Sequence, residues 1–122
     1  MSAGIRRTWL ALGWLWLSGV WVLSLMPQPP QPLTFEFSDK LEHAAAYAFL
    51  MVWFAVVYRG CARLRAALAL LGMGLAVEIA QGMSGYRFFE WADVTADAVG
   101  ILLAAWAMRR VGDGWLARMG WT

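Results

Sequence analysis

His43, Glu78, Asp93 and Asp97 are the most costly residues of this sequence, because each lies in or beside a long apolar run. An imidazole beside carboxylates is the equipment of general acid–base catalysis, and the same groups hold divalent cations. All four are therefore candidate catalytic residues, with His43, Glu78 and Asp93 as ligands if a divalent cation is the cofactor. A second set suits substrate binding. Lys40 and Arg87 could grip a phosphate, one as a point charge and the other as a bidentate fork, while Tyr47 and Gln81 offer polar contacts. Plainer roles compete: His43 and Asp93 as helix-end residues, Glu78 as a structural hydrogen-bond partner, and the two cations as balance for nearby acids.

The elements that must carry these residues are apolar. The chain has 122 residues, 61% of them hydrophobic, at a mean hydropathy of +0.56, too apolar for a water-soluble domain. Its apolar runs predict an all-α fold, an integral membrane four-helix bundle in one domain, with spans at about residues 8–26, 39–58, 66–83 and 92–108. The first run follows Arg6 and Arg7 and stops before Pro27. It rises about 28 Å, close to a hydrocarbon core of roughly 30 Å. It exceeds the apolar region of a signal peptide, and no convincing A-x-A site follows, so it is read as an uncleaved anchor.

All four prolines fall within residues 27–38, which predicts an extended, polyproline-like external loop. The second span is long enough only if Asp39, Lys40, Glu42 and His43 form its first turn, with Ser38 as N-cap. The remaining connections are short: a basic loop, RGCARLR, and a polar and aromatic one, SGYRFFEW.

Eight basic residues, Arg6, Arg7, Arg59, Arg63, Arg65, Arg109, Arg110 and Arg118, fall on one side of such a bundle, and only Lys40 and Arg87 on the other. The positive-inside rule then makes both termini cytoplasmic. The arginines cluster at helix ends without forming a stripe, so the net charge of +2 does not point to nucleic acid. Cys61 is the only cysteine, which excludes an intrachain disulfide and a Cys-based zinc site.

Counting helical rise from the cytoplasmic arginines puts His43 about 24 Å above Arg59, Glu78 about 20 Å above Arg65 and Asp97 about 18 Å above Arg109. Three helices thus bring ionisable groups to one depth near the outer surface. Residues three or four apart share a face, so Lys40, His43 and Tyr47 align, as do Glu78 and Gln81, and Asp93, Asp97 and Gly100. Gly72, Gly74 and Gly100 are small enough for close helix approach. The first span carries no charge to hide and is expected at the periphery, with Gly13 and Gly19 less sensitive to substitution than Gly74 and Gly100, while Trp9, Trp21, Trp91, Trp115 and Trp121 are expected at membrane interfaces. Near the outer surface Asp39, Glu42, Glu78, Glu90, Asp93 and Asp97 outnumber Lys40 and Arg87 by four, an imbalance that a proton, a bound cation or a cationic ligand would relieve.

Two segments, DKLEHAAAYAFL at 39–50 and EIAQGMSGYRFFEWADVTADAVG at 78–100, resemble the VanZ-like family of bacterial integral membrane proteins, and the spacing of the apolar runs extends the likeness over most of the chain. The resemblance implies a single VanZ-like membrane domain over residues 1–122, a multi-pass location in the bacterial cytoplasmic (inner) membrane, and a cell-envelope role linked in some members to glycopeptide-antibiotic resistance. One departure stands out: many members of that family carry Asn where this chain has Asp97.

The leading expectation is recognition or processing of an anionic envelope lipid, or a lipid-linked cell-wall intermediate, at an outer-leaflet polar cavity. The partners would then be membrane lipids bearing phosphate, with protein partners and self-association left open. Two alternatives are a proton- or ion-coupled transporter acting as an oligomer, and a non-catalytic membrane subunit of an envelope complex. The single histidine and the absence of a serine in a nucleophilic context leave open whether the chain is an enzyme. Topology is testable directly. Cysteines placed at Gln31 and Tyr86 should react with an impermeant thiol reagent in intact cells, and labelling at position 63 instead would overturn the orientation.

Overall fold

A computed structural model describes residues 1–27 and 37–121, and among them the only regular structure is helical. The polyproline-like conformation expected for residues 27–38 falls mostly on residues 28–36, outside the described ones. Helix α1 (Ala3–Leu25) starts where the Ser2 hydroxyl accepts the Ile5 amide at 3.2 Å, and so takes in Arg6 and Arg7. Helix α2 (Ser38–Ala55) follows Phe37, which sits in the left-handed region at φ 62°. Ser38 is therefore a buried first residue of the helix and not its N-cap.

Helix α3 (Cys61–Met83) begins directly after Gly60, whose φ of 55° is one a side chain would resist. The basic segment expected as a loop is thus mostly the first turn of α3. Helix α4 (Trp91–Ala107) continues through one π-helical turn (Met108–Gly112) into α5 (Asp113–Arg118). Three stretches are long and apolar enough to cross a membrane: Ala3–Leu25, Cys61–Met83 and Trp91–Arg118. α2 has 18 residues and rises about 27 Å, but carries Asp39, Lys40 and Glu42 near its start.

Neighbouring helices run antiparallel, so α2 and α4 are parallel, and theirs is the closest pairing. A Cβ at Gly100 would run into the Ala44 carbonyl, so only glycine lets the two backbones meet there. Below that contact lies an apolar core of Tyr47, Leu50, Met51, Phe54, Leu70, Ile101 and Ala104. Gly74 is also a contact point, its missing Cβ leaving room for Asp97 Oδ2. Gly72, expected to do the same, faces open space, with no atom within 4 Å of where a Cβ would stand.

α1 packs on the flank of α2 through aromatic rings. Trp9 and Trp53 stack at 4.0 Å and exchange hydrogen bonds, each indole N–H donating to the other's carbonyl at 2.8 and 2.9 Å. Trp121 meets Trp9 edge-on at 5.5 Å. Trp9 and Trp121 are therefore packing residues and not free interfacial anchors, whereas Trp115 and Trp91 are exposed. Gly13 is the one buried residue of α1, and a Cβ there would press on Phe54 and Trp53 at 2.9 Å. Gly13 is thus a contact position too, though against side-chain rings and less tightly than Gly100 against backbone; at Gly19 nothing lies near.

The other end of the bundle is clamped by Arg63. It is 8% exposed, donates to the Ala55 and Tyr58 carbonyls at the end of α2, and forks onto both oxygens of Asp113 at 2.9 and 2.7 Å. A cysteine at the buried position 63 would be shielded under any topology, so the exposed native Cys61 is the better reporter for this end of the bundle. Gly100→Ala should lower thermal stability in detergent by about 1–3 kcal/mol through overpacking. Gly72→Ala should be neutral or stabilising by up to about 1 kcal/mol. Equal losses at both sites would remove the argument that the α2–α4 contact is the tight one.

Candidate functional site

The site is built where α2 and α4 begin and α3 ends. α4 has no side-chain cap of its own; instead Glu78 of α3 reaches across, and its Oε2 accepts the Glu90 amide at 3.1 Å. One amide at the start of α4 is thus satisfied by a carboxyl oxygen from α3. Glu78 is fully buried, and its Oε1 has no hydrogen-bond partner among the described residues.

Parallel packing of α2 on α4 sets His43 between two acids one turn apart. Its Nδ1 lies 3.0 Å from Asp97 Oδ1, and its Nε2 lies 3.9 Å from Asp93 Oδ2. With Nδ1–H donating to Asp97, Nε2 is the nitrogen that faces Asp93, as a lone pair in the neutral ring and as a second N–H in the imidazolium. Asp97 is 1% exposed, and its Oδ2, like the Tyr47 hydroxyl, is buried without a partner among the described residues. Gly74 makes this possible, since a Cβ there would come within 2.7 Å of Asp97 Oδ2.

Lys40 closes the group on the side nearer solvent. Its ammonium sits 2.7 Å from Asp39, 2.6 Å from Glu90 and 2.6 Å from Asp93 Oδ1. Side-chain exposure falls from 51% and 49% at Asp39 and Glu90, through 23% at Lys40 and 16% at His43, to 8% at Asp93 and 1% at Asp97. The arrangement is a shaft of polar side chains, a packed column that is acidic from its exposed rim to its buried base. Lys40, expected to grip a phosphate, is already surrounded by three carboxylates.

The structure therefore brings His43, Glu78, Asp93, Asp97, Lys40 and Tyr47 together. Gln81 and Arg87 go elsewhere. Gln81 Nε2 donates to the Ser24 carbonyl at 2.7 Å, and Arg87 Nη1 to the Ser24 and Met26 carbonyls at 3.0 and 3.3 Å. The Tyr86 hydroxyl donates to the Leu25 carbonyl. These three side chains satisfy the last carbonyls of α1, which has no basic residue in its own last turn. Periodicity puts Gln81 on the Glu78 face, but it does not reveal that a neighbouring helix ends there. Asp39 and Glu90, which in the sequence count only toward the charge balance, are members of the site.

A separate concavity of about 610 Å³ opens between α1 and α3, lined by Trp14, Trp21, Phe54, Tyr58, Arg65 and Met73. Its walls are apolar apart from Arg65 at one end, so it is not the seat of the ionisable chemistry. No family model, curated protein or solved structure matches this chain, so the reading of the site rests on its geometry.

Chemically the shaft can hold a proton or a cation between His43, Glu78 and Asp93, the one group of described residues that joins an imidazole to two buried carboxylates at this range. Arg87 has a distinct expectation. Arg87→Ala should speed amide exchange at the end of α1 and in residues 84–87 while leaving the His43 environment unchanged. Unaltered exchange there would show that the carbonyl contacts carry no stability.

Proposed function

We propose that this chain is a VanZ-like, four-span protein of the bacterial cytoplasmic membrane, with both termini inside, that recognises or processes a phosphate-bearing envelope lipid at the polar shaft on its outer side. The reading rests on one observation: ionisable groups from three helices converge at the end of the bundle opposite the arginine clusters. With the arginines on the cytoplasmic face, the shaft opens at the level of the outer-leaflet headgroups. The exposed apolar flanks of α1 and α4, with Trp14, Leu15, Leu102 and Trp106 all more than 60% exposed, suit contact with acyl chains.

Lipid recognition accounts for the site better than transport does. Below Asp97 the interior is apolar, and among the described residues the next buried ionisable group is Arg63 at the opposite end. A proton or ion entering the shaft would find no continuing path through one copy of the chain. A non-catalytic subunit of a larger envelope complex would need no buried imidazole–carboxylate set, whose desolvation is costly unless it is used.

The test compares lipids that differ in phosphate. Purified protein is mixed in mild detergent with a polyprenyl phosphate, a polyprenyl diphosphate and a neutral diacylglycerol, and retention is read by native mass spectrometry. The phosphate-bearing lipids should be retained at least tenfold better, and Glu78→Gln should abolish the preference with helicity intact. Equal retention of all three lipids would sink the proposal.

A further inference from the structure

Five carboxylates, those of Asp39, Glu78, Glu90, Asp93 and Asp97, surround one ammonium and one imidazole in this shaft. Lys40 deals with the outer part: it pairs with Asp39, Glu90 and Asp93, so the acidic trio at the rim already holds its cation. The inner part has no such partner among the described residues. Glu78 is fully buried, with Oε1 unpaired. We propose that His43 Nε2, Asp93 Oδ2 and a Glu78 carboxylate oxygen bind one divalent transition-metal cation, with Asp97 as the residue that orients His43.

Three features of geometry carry this inference, which shares its site with the functional proposal but does not require the lipid. The first is the 3.9 Å between His43 Nε2 and Asp93 Oδ2. It is too long for a hydrogen bond. Two ligands each about 2.0–2.2 Å from one ion stand roughly 3.4 Å apart at a tetrahedral angle and about 4.2 Å apart when opposite, so the gap is the size an ion needs. Single ligand atoms of His43, Glu78 and Asp93 lie within 4.8 Å of one another, which small side-chain rotations close to that range.

The second feature is the tautomer. A metal-binding histidine usually donates its other ring N–H to a carboxylate, which fixes the ring and raises its basicity. Asp97 receives that N–H from Nδ1 at 3.0 Å, in the room that Gly74 leaves for it. The third is the division of labour at Asp93, whose Oδ1 faces Lys40 while Oδ2 faces His43. One carboxylate thereby joins the ammonium to the ion site.

An imidazole nitrogen with two carboxylates suits Zn²⁺ or Mn²⁺ better than Mg²⁺ or Ca²⁺, which favour all-oxygen shells. Three protein ligands leave coordination positions open, as in sites where a metal meets an exogenous oxygen. A phosphate oxygen is the ligand such a site would take. This supplies the positive charge for an anion that Lys40 and Arg87, engaged elsewhere, do not offer.

The experiment uses the full chain without a histidine tag, stripped with chelator in mild detergent and titrated with Zn²⁺ and Mn²⁺ by equilibrium dialysis. One ion per chain should bind. His43→Ala and Glu78→Gln should weaken binding at least 100-fold and Asp97→Ala about tenfold, with Asp113→Asn as an unaffected control. Because buried substitutions can unfold a protein, the wild type is also followed by ¹⁵N NMR of its single histidine. Zn²⁺ should move the His43 Nε2 resonance and leave the Nδ1–H proton in place. Absence of stoichiometric binding, or an unchanged Nε2 signal, overturns the metal site and shows the acids to be held by protons. Metal binding without lipid preference would retire the lipid reading alone, and phosphate-lipid preference without stoichiometric metal binding would retire the metal site alone.

Discussion

An ionised carboxylate taken out of water loses more solvation than one neighbour returns, and that cost organises one whole end of this bundle. Asp93, Asp97 and Glu78 are all nearly or fully buried there, each drawing on a different source of compensation. Asp93 has the Lys40 ammonium, Asp97 has the His43 ring N–H, and Glu78 has a backbone amide at the start of α4. Because these partners come from three helices, the acids can be accommodated only when α2, α3 and α4 are assembled together. The same polar groups that make the site costly therefore define the register of the bundle.

Helix ends impose a similar demand. The terminal carbonyls and amides of a helix have no partners within it, and here those partners come from other helices. Glu78 receives an amide at the start of α4, Arg63 covers carbonyls at the end of α2, and Gln81, Tyr86 and Arg87 cover the end of α1. Several polar residues that look like substrate-binding groups are thus occupied in closing the fold. What remains for ligand chemistry is a smaller set around His43.

Two glycines and a run of aromatic rings complete the support. Gly100 brings α2 onto α4, and Gly74 makes room for Asp97, so both act on the site through backbone spacing alone. The Trp9–Trp53 pair holds α1 against the other face of α2, where it touches none of the ionisable groups. The shaft is consequently a property of α2, α3 and α4, with α1 fastened on by rings at one end and by carbonyl contacts at the other.

Apolar run length and helical periodicity are local properties, so the sequence by itself determined the long helices, the polar stripe on each, and the common depth of His43, Glu78 and Asp97. It also singled out Gly74 and Gly100. Which way each stripe turns was decided only by tertiary packing. Glu78 and Gln81 share a face of α3, yet one meets the start of α4 and the other the end of α1. Trp9 and Trp14 are both tryptophans of α1, but only Trp9 finds a stacking and hydrogen-bonding partner in Trp53. Gly13 and Gly19 differ in the same way, the one pressed on Phe54 and the other against nothing. A helix presents a residue at a given height whatever its neighbours are, whereas the partner at that height depends on the rotation and register of a second helix. Those are set by close contacts, such as Gly100 on Ala44, between residues far apart in the chain.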